Sequence, residues 1–398
     1  MSLAAGPRLF MEVDSYQERK HNQAACGDVF LSQKIKEDHR VISVLADGLG
    51  SGIKAGVLAN LTSTMALRYM AADVDVRKAA GIIMATLPVC AVRQIAYSTF
   101  TIVEMDPWGA TRIVEYDNPP FVLMRGSGPV QTRAEILPLP DTEGRESAIR
   151  HTRFEARPGD RIVFFSDGVT QAGVGRAGTP LGWGQAAVIE FLTKVTRERP
   201  KISARQLART LVLRAQAMDG GKAKDDITCA VVYYREPREV LVLTGAPVAR
   251  TKDAQMAETA LAFPGRKVIC GGTTSAILSR ELGRPLAMDL RHLDPEVPPV
   301  SSMPGFDLVT EGAITLARTV RLLEEEEAPD LLKPNAATQL AGILLDSDII
   351  HIMAGTKINE ALQDPSLPED LDIRRNILRG LKKVLTEKFL KEVRITFI

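Results

Sequence analysis

Twice along the chain an apolar run stops at the same pair of residues. Residues 41–46, VISVLA, run into Asp47-Gly48, and the run ending at Phe165 passes through Ser166 into Asp167-Gly168. Short apolar runs closed by turn residues mark buried strands. After the first run, Gly48, Gly50 and Gly52 make a flexible turn. Beyond it Ile53, Val57, Leu61 and Met65 recur every four residues, which marks one face of a helix over about 52–70. Residues 76–100 hold another helical stretch, with Pro88 placed to break or kink it.

The pattern then changes to strands. Residues 99–106 and 109–125 are consecutive strand candidates around a turn at 107–109. Residues 153–173 contain a turn at 158–160, an apolar strand, then Ser-Asp-Gly. Residues 203–218 are helical, and 225–234 form a strand opened by two aspartates. Paired strands around two or more helices predict a layered α/β domain over 1–238. Past Pro237 the texture shifts: 239–247, 265–282 and 348–359 each run from a strand into a glycine turn. Alternating strands and helices predict a second, C-terminal α/β domain over 239–398. No internal repeat emerges, and the acidic run 324–327 suits a solvated helix end.

Composition narrows the picture. The 398 residues are too many for one ordinary domain, and 45% hydrophobic content can supply a core to each of two. Lys plus Arg number 50 against 49 Asp plus Glu, which argues against a nucleic-acid partner, although 374–383 is locally basic. Cys26, Cys90, Cys229 and Cys270 are spaced too widely for a zinc knuckle or a secreted disulfide framework. The opening MSLAAGPRLF lacks the apolar core of a signal peptide, and no apolar run reaches spanning length. The expectation is a soluble, cytoplasmic protein with no membrane partner.

The candidate chemistry is acidic. Asp28, Asp47, Asp167 and Asp225 each lie at a strand start or strand end beside a turn. Strand ends converge on shared edges, so distant residues can form one site. Carboxylates gathered without a cation raise one another's pKa, and a hard divalent ion in an all-oxygen shell resolves that conflict. The alternative for any one of them is a turn aspartate that bonds its own backbone.

Taken in order, Asp28, Asp47-Gly48-Leu49-Gly50, Asp167-Gly168 and Asp225-Asp226-Ile227-Thr228 resemble the metal-dependent protein phosphatases of the PP2C superfamily. The closer likeness is to the bacterial branch typified by the sporulation phosphatase SpoIIE and the stress-response phosphatases. Residues 117–125, DNPPFVLMR, are similar in part to a GHPPPLLLR segment of that family, and the resemblance spans about 12–236. It implies a PP2C-like β-sandwich flanked by helices, and a serine/threonine phosphoprotein phosphatase working with two Mn²⁺ or Mg²⁺ ions. In that likeness Asp47 bridges the ions and the Gly48 carbonyl completes part of one shell. Asp28 serves one ion as ligand or water-holder, Asp167 and Asp225 serve the other, and Asp226 stands behind them. The implied partner is a phosphorylated protein of the anti-anti-sigma kind, and the helix at 52–70 carries regulation in the sporulation enzyme. Eukaryotic members hold phosphate with an early arginine; Arg19, Lys20 and His21 all precede Asp28, and the choice among them is open. His21 is also a candidate acid for the leaving group. Cys26 and Cys229 read as core, His39 and His151 as surface.

Two rival readings stand beside this one. A pseudo-phosphatase would use the fold to hold a phosphorylated or anti-sigma-type partner, and a nucleotide-binding enzyme would use the glycine turns. In the second domain, 244–247, 270–275 and 354–357 place glycines between strand and helix, where backbone N–H groups could hold an anion or simply turn tightly. With no long sensor ahead of Asp28, regulation would fall to this domain, a partner or pairing into a homodimer.

Overall fold

The computed structural model describes residues 9–86, 98–139, 147–288, 297–325, 335–357 and 370–398. Pro88, Cys90, Pro295, Glu326 and Glu327 lie outside the described residues. The chain divides into two compact units, Met1–Glu236 and Pro237–Ile398.

The first unit opens with β1 (Phe10–Glu18), β2 (Asp28–Lys34), β3 (Val41–Gly48), α1 (Ile53–Ala71) and α2 (Val76–Thr86). Seven strands follow: β4 (Ser98–Met105), β5 (Ala110–Tyr116), β6 (Val122–Arg125), β7 (Gly128–Val130), β8 (Ala134–Pro138), β9 (Ala148–Glu155) and β10 (Asp160–Phe165). Then come α3 (Asp167–Thr170), α4 (Gln185–Glu198), α5 (Ala204–Met218) and β11 (Ile227–Arg235). The strands make two antiparallel sheets, ordered β1-β11-β10-β6-β7 and β2-β3-β4-β5-β9-β8.

Period-two alternation explains why both sheets are covered on both faces. Along β3, Ile42, Val44 and Ala46 pack with Ala59, Ala66 and Met70 of α1, while Leu45 and Asp47 point to the opposite face. Along β11, Ile227, Cys229 and Val231 pack with Leu207 and Leu211 of α5, while Thr228, Ala230 and Val232 are buried on the opposite face. Those opposite faces meet: the rings of Phe30 on β2 and Phe164 on β10 are 6.2 Å apart. The unit is a β-sandwich with helices on its two outer faces.

The helix expected at 52–70 is present, but its apolar stripe is turned outward. Ile53, Val57 and Leu61 are 66%, 61% and 42% exposed. The buried face instead carries Ala55, Ala59, Thr62, Ser63 and Ala66; of the four stripe residues, Met65 packs against the core. The reason is close approach. A Cβ on Gly48 would lie 2.0 Å from the Ala55 carbonyl oxygen, so the helix rides on the end of β3 where small side chains fit.

Two further expectations change. The run 109–125 is two strands in different sheets, β5 and β6, joined by a crossing at 117–121. Asp117 has φ 55°, and buried Asn118 fixes the crossing through Thr99 Oγ1 at 2.5 Å and Thr101 Oγ1 at 3.1 Å. His151 is a buried β9 residue rather than a surface one, and loss of solvent lowers its pKa. His39 is exposed.

The second unit contains β12 (Glu239–Thr244), α6 (Thr251–Ala262), β13 (Arg266–Cys270), α7 (Gly272–Leu282), β14 (Ala287–Met288) and β15 (Ser301–Ser302). After these come β16 (Leu308–Thr310), α8 (Ala313–Glu324), α9 (Ala336–Leu345), β17 (Ile349–Ala354), α10 (Asp370–Glu387) and β18 (Glu392–Phe397). Strands β16-β13-β12-β17-β18 run parallel, in that order. Leu241 and Leu243 of β12 face α6 and α7, whereas Val240 and Val242 face α8, α9 and α10. This is a doubly wound α/β sheet, and its order reverses between β12 and β17. Among the described residues no helix is long and apolar enough to cross a membrane.

The outward stripe of α1 is testable by denaturant unfolding. Val57→Ser and Leu61→Ser should each change stability by less than about 0.5 kcal/mol. Ala59→Leu, at a fully buried position, should cost about 1–3 kcal/mol. The reverse ranking would show that the stripe faces the core.

Candidate active site

The antiparallel register of β2 and β3 sets Asp28 directly opposite Asp47. Residues opposite one another share a face, and theirs is the inner one. Asp28 is 3% exposed, and neither of its carboxyl oxygens has a hydrogen-bond partner. The hydroxyls of Thr228 and Ser166, from the facing sheet, lie beside it without reaching bonding geometry; Ser166 Oγ instead accepts the Thr228 N–H at 3.0 Å. Loss of solvent pushes Asp28 up to about 7, against the pull of those two hydroxyls and with the help of the Asp226 and Asp167 charges. Desolvation, then the charges of Asp28, Asp167 and Asp225, push Asp47 well above the ordinary carboxylate range.

The other two predicted acids come from the first sheet. Asp167 opens α3 directly after β10, and its Oδ2 accepts the Gln171 Nε2–H at 2.6 Å. Asp225 precedes β11; desolvation raises its pKa, and the Lys20 ammonium 3.7 Å away opposes the rise. The structure therefore brings Asp28, Asp167 and Asp225, from three other places in the chain, within electrostatic reach of Asp47, and Asp167 within reach of Asp28 as well.

Backbone contacts hold this arrangement. Asp226, buried beside Asp225, accepts the Lys20 N–H and the Gly27 N–H, each at 2.9 Å, and so ties the segment before β2 to the start of β11. The Gly48 N–H donates to the Gly27 carbonyl at 3.2 Å. A Cβ on Gly168 would lie 2.1 Å from the Asp226 carbonyl oxygen. Each Asp-Gly pair thus supplies an acid and a residue small enough to let another backbone pass behind it.

The donor set fits hard cations. It is all oxygen, it includes two buried oxygens without partners, and its charges disfavour one another without a counter-ion. Asp28, Asp47, Asp167, Asp225 and the Gly48 carbonyl are the groups that would hold such ions. Among the described residues no three His, Cys, Asp or Glu side chains already form a ready metal cage; Asp167 turns to Gln171 and Asp225 to Lys20.

Of the three basic residues before Asp28, Lys20 reaches the cluster. Arg19 donates to the Ala24 carbonyl at 3.3 Å, and His21 is exposed. Burial and the Asp28 charge raise the Cys26 thiol pKa, which leaves it a poor nucleophile, and Cys229 is fully buried. Sequence reasoning missed Ser166 and Thr228. Their signal was period two: Ser166 precedes Asp167, Thr228 follows Asp225 by three residues, and each has the inward parity of its strand.

An acid whose folded pKa lies above its unfolded value loses stability for the fold as pH rises between the two. With chelator present, Asp28→Asn should therefore stabilise the protein at pH 8 by roughly 1–3 kcal/mol. The gain should fade as pH falls from about 7 toward the unfolded value of about 4. Urea titrations across that range check it, and a destabilised variant at pH 8 would contradict it.

Comparison with known proteins adds the family. The family model for Stage II sporulation protein E (SpoIIE) matches residues 37–235, half of the 398-residue chain. Among solved structures, the chain is similar to the PP2C phosphatase domain with a fragment of the regulatory domain of the cell fate determinant SpoIIE from Bacillus subtilis. That match has 17% identity and a TM-score of 0.48, and spans 58% of this chain and 65% of that one. It is also similar to the RsbU and RsbW domains of a Mycobacterium tuberculosis protein, with 18% identity over 64% of this chain and 69% of that one and a TM-score of 0.44. A third is RsbX in complex with magnesium, with 19% identity over 56% of this chain and 95% of that one and a TM-score of 0.38. Comparison with curated proteins gives no match. From the family match over half its length, the chain belongs to the SpoIIE family.

Proposed function

We propose that the protein is a metal-dependent serine/threonine phosphoprotein phosphatase acting on a bacterial regulatory protein, with two Mn²⁺ or Mg²⁺ ions as its cofactor. The observation that carries this reading is the Asp28–Asp47 pair: two adjacent acids on the inner face, with both Asp28 oxygens unpartnered. When bound, hard cations would neutralise these acids, make a water more acidic and offset charge on phosphoryl oxygens.

The chain's own residues then have distinct tasks. Asp47 takes the central part in this reading, since the charges of Asp28, Asp167 and Asp225 all act on it. Asp28 is held deep by its register opposite Asp47 and by burial, with the Ser166 and Thr228 hydroxyls beside it. Asp167 and Asp225 close the site from the other sheet, and the Gly48 carbonyl adds a neutral oxygen. Lys20 places a positive charge beside Asp225, where an incoming phosphoryl group would find it. Hydrolysis by water needs no protein nucleophile, in keeping with the raised Cys26 thiol. A phosphorylated anti-anti-sigma-like protein is the substrate class that the family resemblance suggests.

A second reading, a binding module for a phosphorylated or anti-sigma-type partner, draws on one observation. Among the described residues the acids do not already form a ready cage.

One assay separates the two. Hydrolysis of p-nitrophenyl phosphate should require Mn²⁺ or Mg²⁺. Asp47→Ala and Asp225→Ala should each lower it beyond the ~10–100-fold typical of residues that merely support ligands, with folding intact by circular dichroism. Full activity in both variants would remove the proposal. A wild-type protein that binds phosphopeptide but never turns it over would be the binding module. The stabilisation given by Mn²⁺ should also grow as pH rises through about 7, because Asp28 must lose its proton to act as a ligand; thermal melts at pH 6 and pH 8 measure it.

A further inference from the structure

The second unit has its own cavity, about 580 Å³, at the carboxyl ends of its parallel strands. It lies among the turns after β12, β13, β16 and β17, and so at the point where the strand order reverses. Open α/β sheets bind ligands in that crevice. The phosphatase reading makes no use of it.

The turns there are built to close tolerances. Gly355 N–H donates to the Thr244 carbonyl at 2.8 Å, and Lys357 N–H to the Ala246 carbonyl at 3.0 Å. A Cβ on Gly355 would lie 2.1 Å from the Ala246 carbonyl oxygen, and Gly245 has φ 75°. The turns after β12 and β17 are thus locked together as one wall.

The opposite wall is the start of α7. Its first N–H groups, from Gly272 to Thr274, have no carbonyl one turn back to bond, and no side chain caps them. A helix of 11 residues directs its positive end into the cavity at this point. The second, independent observation is Thr274. It lines the cavity, it is fully buried, and its hydroxyl has no hydrogen-bond partner. A buried hydroxyl without a partner is unfavourable, and a ligand oxygen would satisfy it.

Charge points to the ligand class. Four basic side chains line the cavity, Arg250, Arg280, Lys357 and Arg374, against the two acids Asp253 and Glu311. Arg280 is bonded to Asp253 at 2.6 Å, which leaves Glu311 as the other acid. The Glu311 carboxylate stands over Gly272, where a Cβ would meet it at 3.1 Å. There it can accept hydrogens from ligand hydroxyls, as a polyhydroxy group such as a sugar would offer. Val248 and Ile277 supply an apolar border.

We propose that this crevice binds a small phosphate ester of nucleotide size, with the phosphate on the α7 start and Thr274, and a hydroxylated portion toward Glu311. A free phosphosugar, a mononucleotide and a dinucleotide share that chemistry, and the test separates them. Isothermal titration calorimetry of the full chain, with chelator present, would use ribose 5-phosphate, AMP, ATP and NAD, with adenosine as the phosphate-free control. At least one ester should bind more tightly than about 1 mM while adenosine does not. Thr274→Val should weaken that binding about tenfold or more without lowering the melting temperature, since it removes a hydroxyl that bonds nothing in the free protein. Arg250→Glu, at the exposed mouth, should weaken it as well and keeps the test open if Thr274→Val folds poorly. Failure of every ester to bind, or binding untouched by both variants, overturns the proposal.

Discussion

Asp28 and Asp47 face each other across two strands, on the inner side of a sandwich where water is scarce. Placing two carboxylates there costs several kcal/mol for each charge unless something opposes it. Ser166 and Thr228 ease the cost for Asp28 but do not bond it. The fold bears this arrangement by protonation, and Asp28 accordingly sits at about 7. A pair of hard cations would turn the same arrangement from a liability into a binding site. Everything proposed for the first unit depends on that exchange.

The scaffold keeps the acids from escaping each other. The β2–β3 register fixes one pair, and a one-residue slip of β2 would send Asp28 to the helix side, away from Asp47. Asp226 joins the two ends of the unit through the Lys20 and Gly27 N–H groups, so Asp225 cannot drift from Asp28 without breaking two bonds. Gly48 and Gly168 let α1 and the start of β11 come within contact of the acid-bearing turns. Stability and site geometry are in this sense the same set of contacts.

Much of this was legible before the fold was known. Apolar runs closed by Asp-Gly gave β3 and β10 with their acids at the ends, and the helical reading of 203–218 gave α5. The facing of α1 was not legible from periodicity, because Ile53, Val57 and Leu61 are exposed while Ala55, Ala59 and Ala66 are buried. Hydrophobicity alone cannot see a helix chosen for closeness of approach. β1, FMEVDSYQE, mixes charge and apolar residues too evenly to announce itself, yet it pairs with β11 along its whole length. Nor could spacing reveal that Asp28 and Asp225 are brought close, since they stand at strand ends in different sheets and the link between them is the pair of bonds from the Lys20 and Gly27 N–H groups to Asp226. In the second unit the glycine turns were visible, but the order reversal that gathers them around one cavity is a property of the sheet.

Crystals grown with Mn²⁺ and measured at its absorption edge would locate the ions directly. The account predicts two anomalous peaks bounded by Asp28, Asp47, Asp167 and Asp225, with Asp47 touching both and Lys20 outside the ligand shell. Peaks elsewhere, or a clean map with these four carboxylates still turned to Gln171, Lys20 and each other, would contradict it.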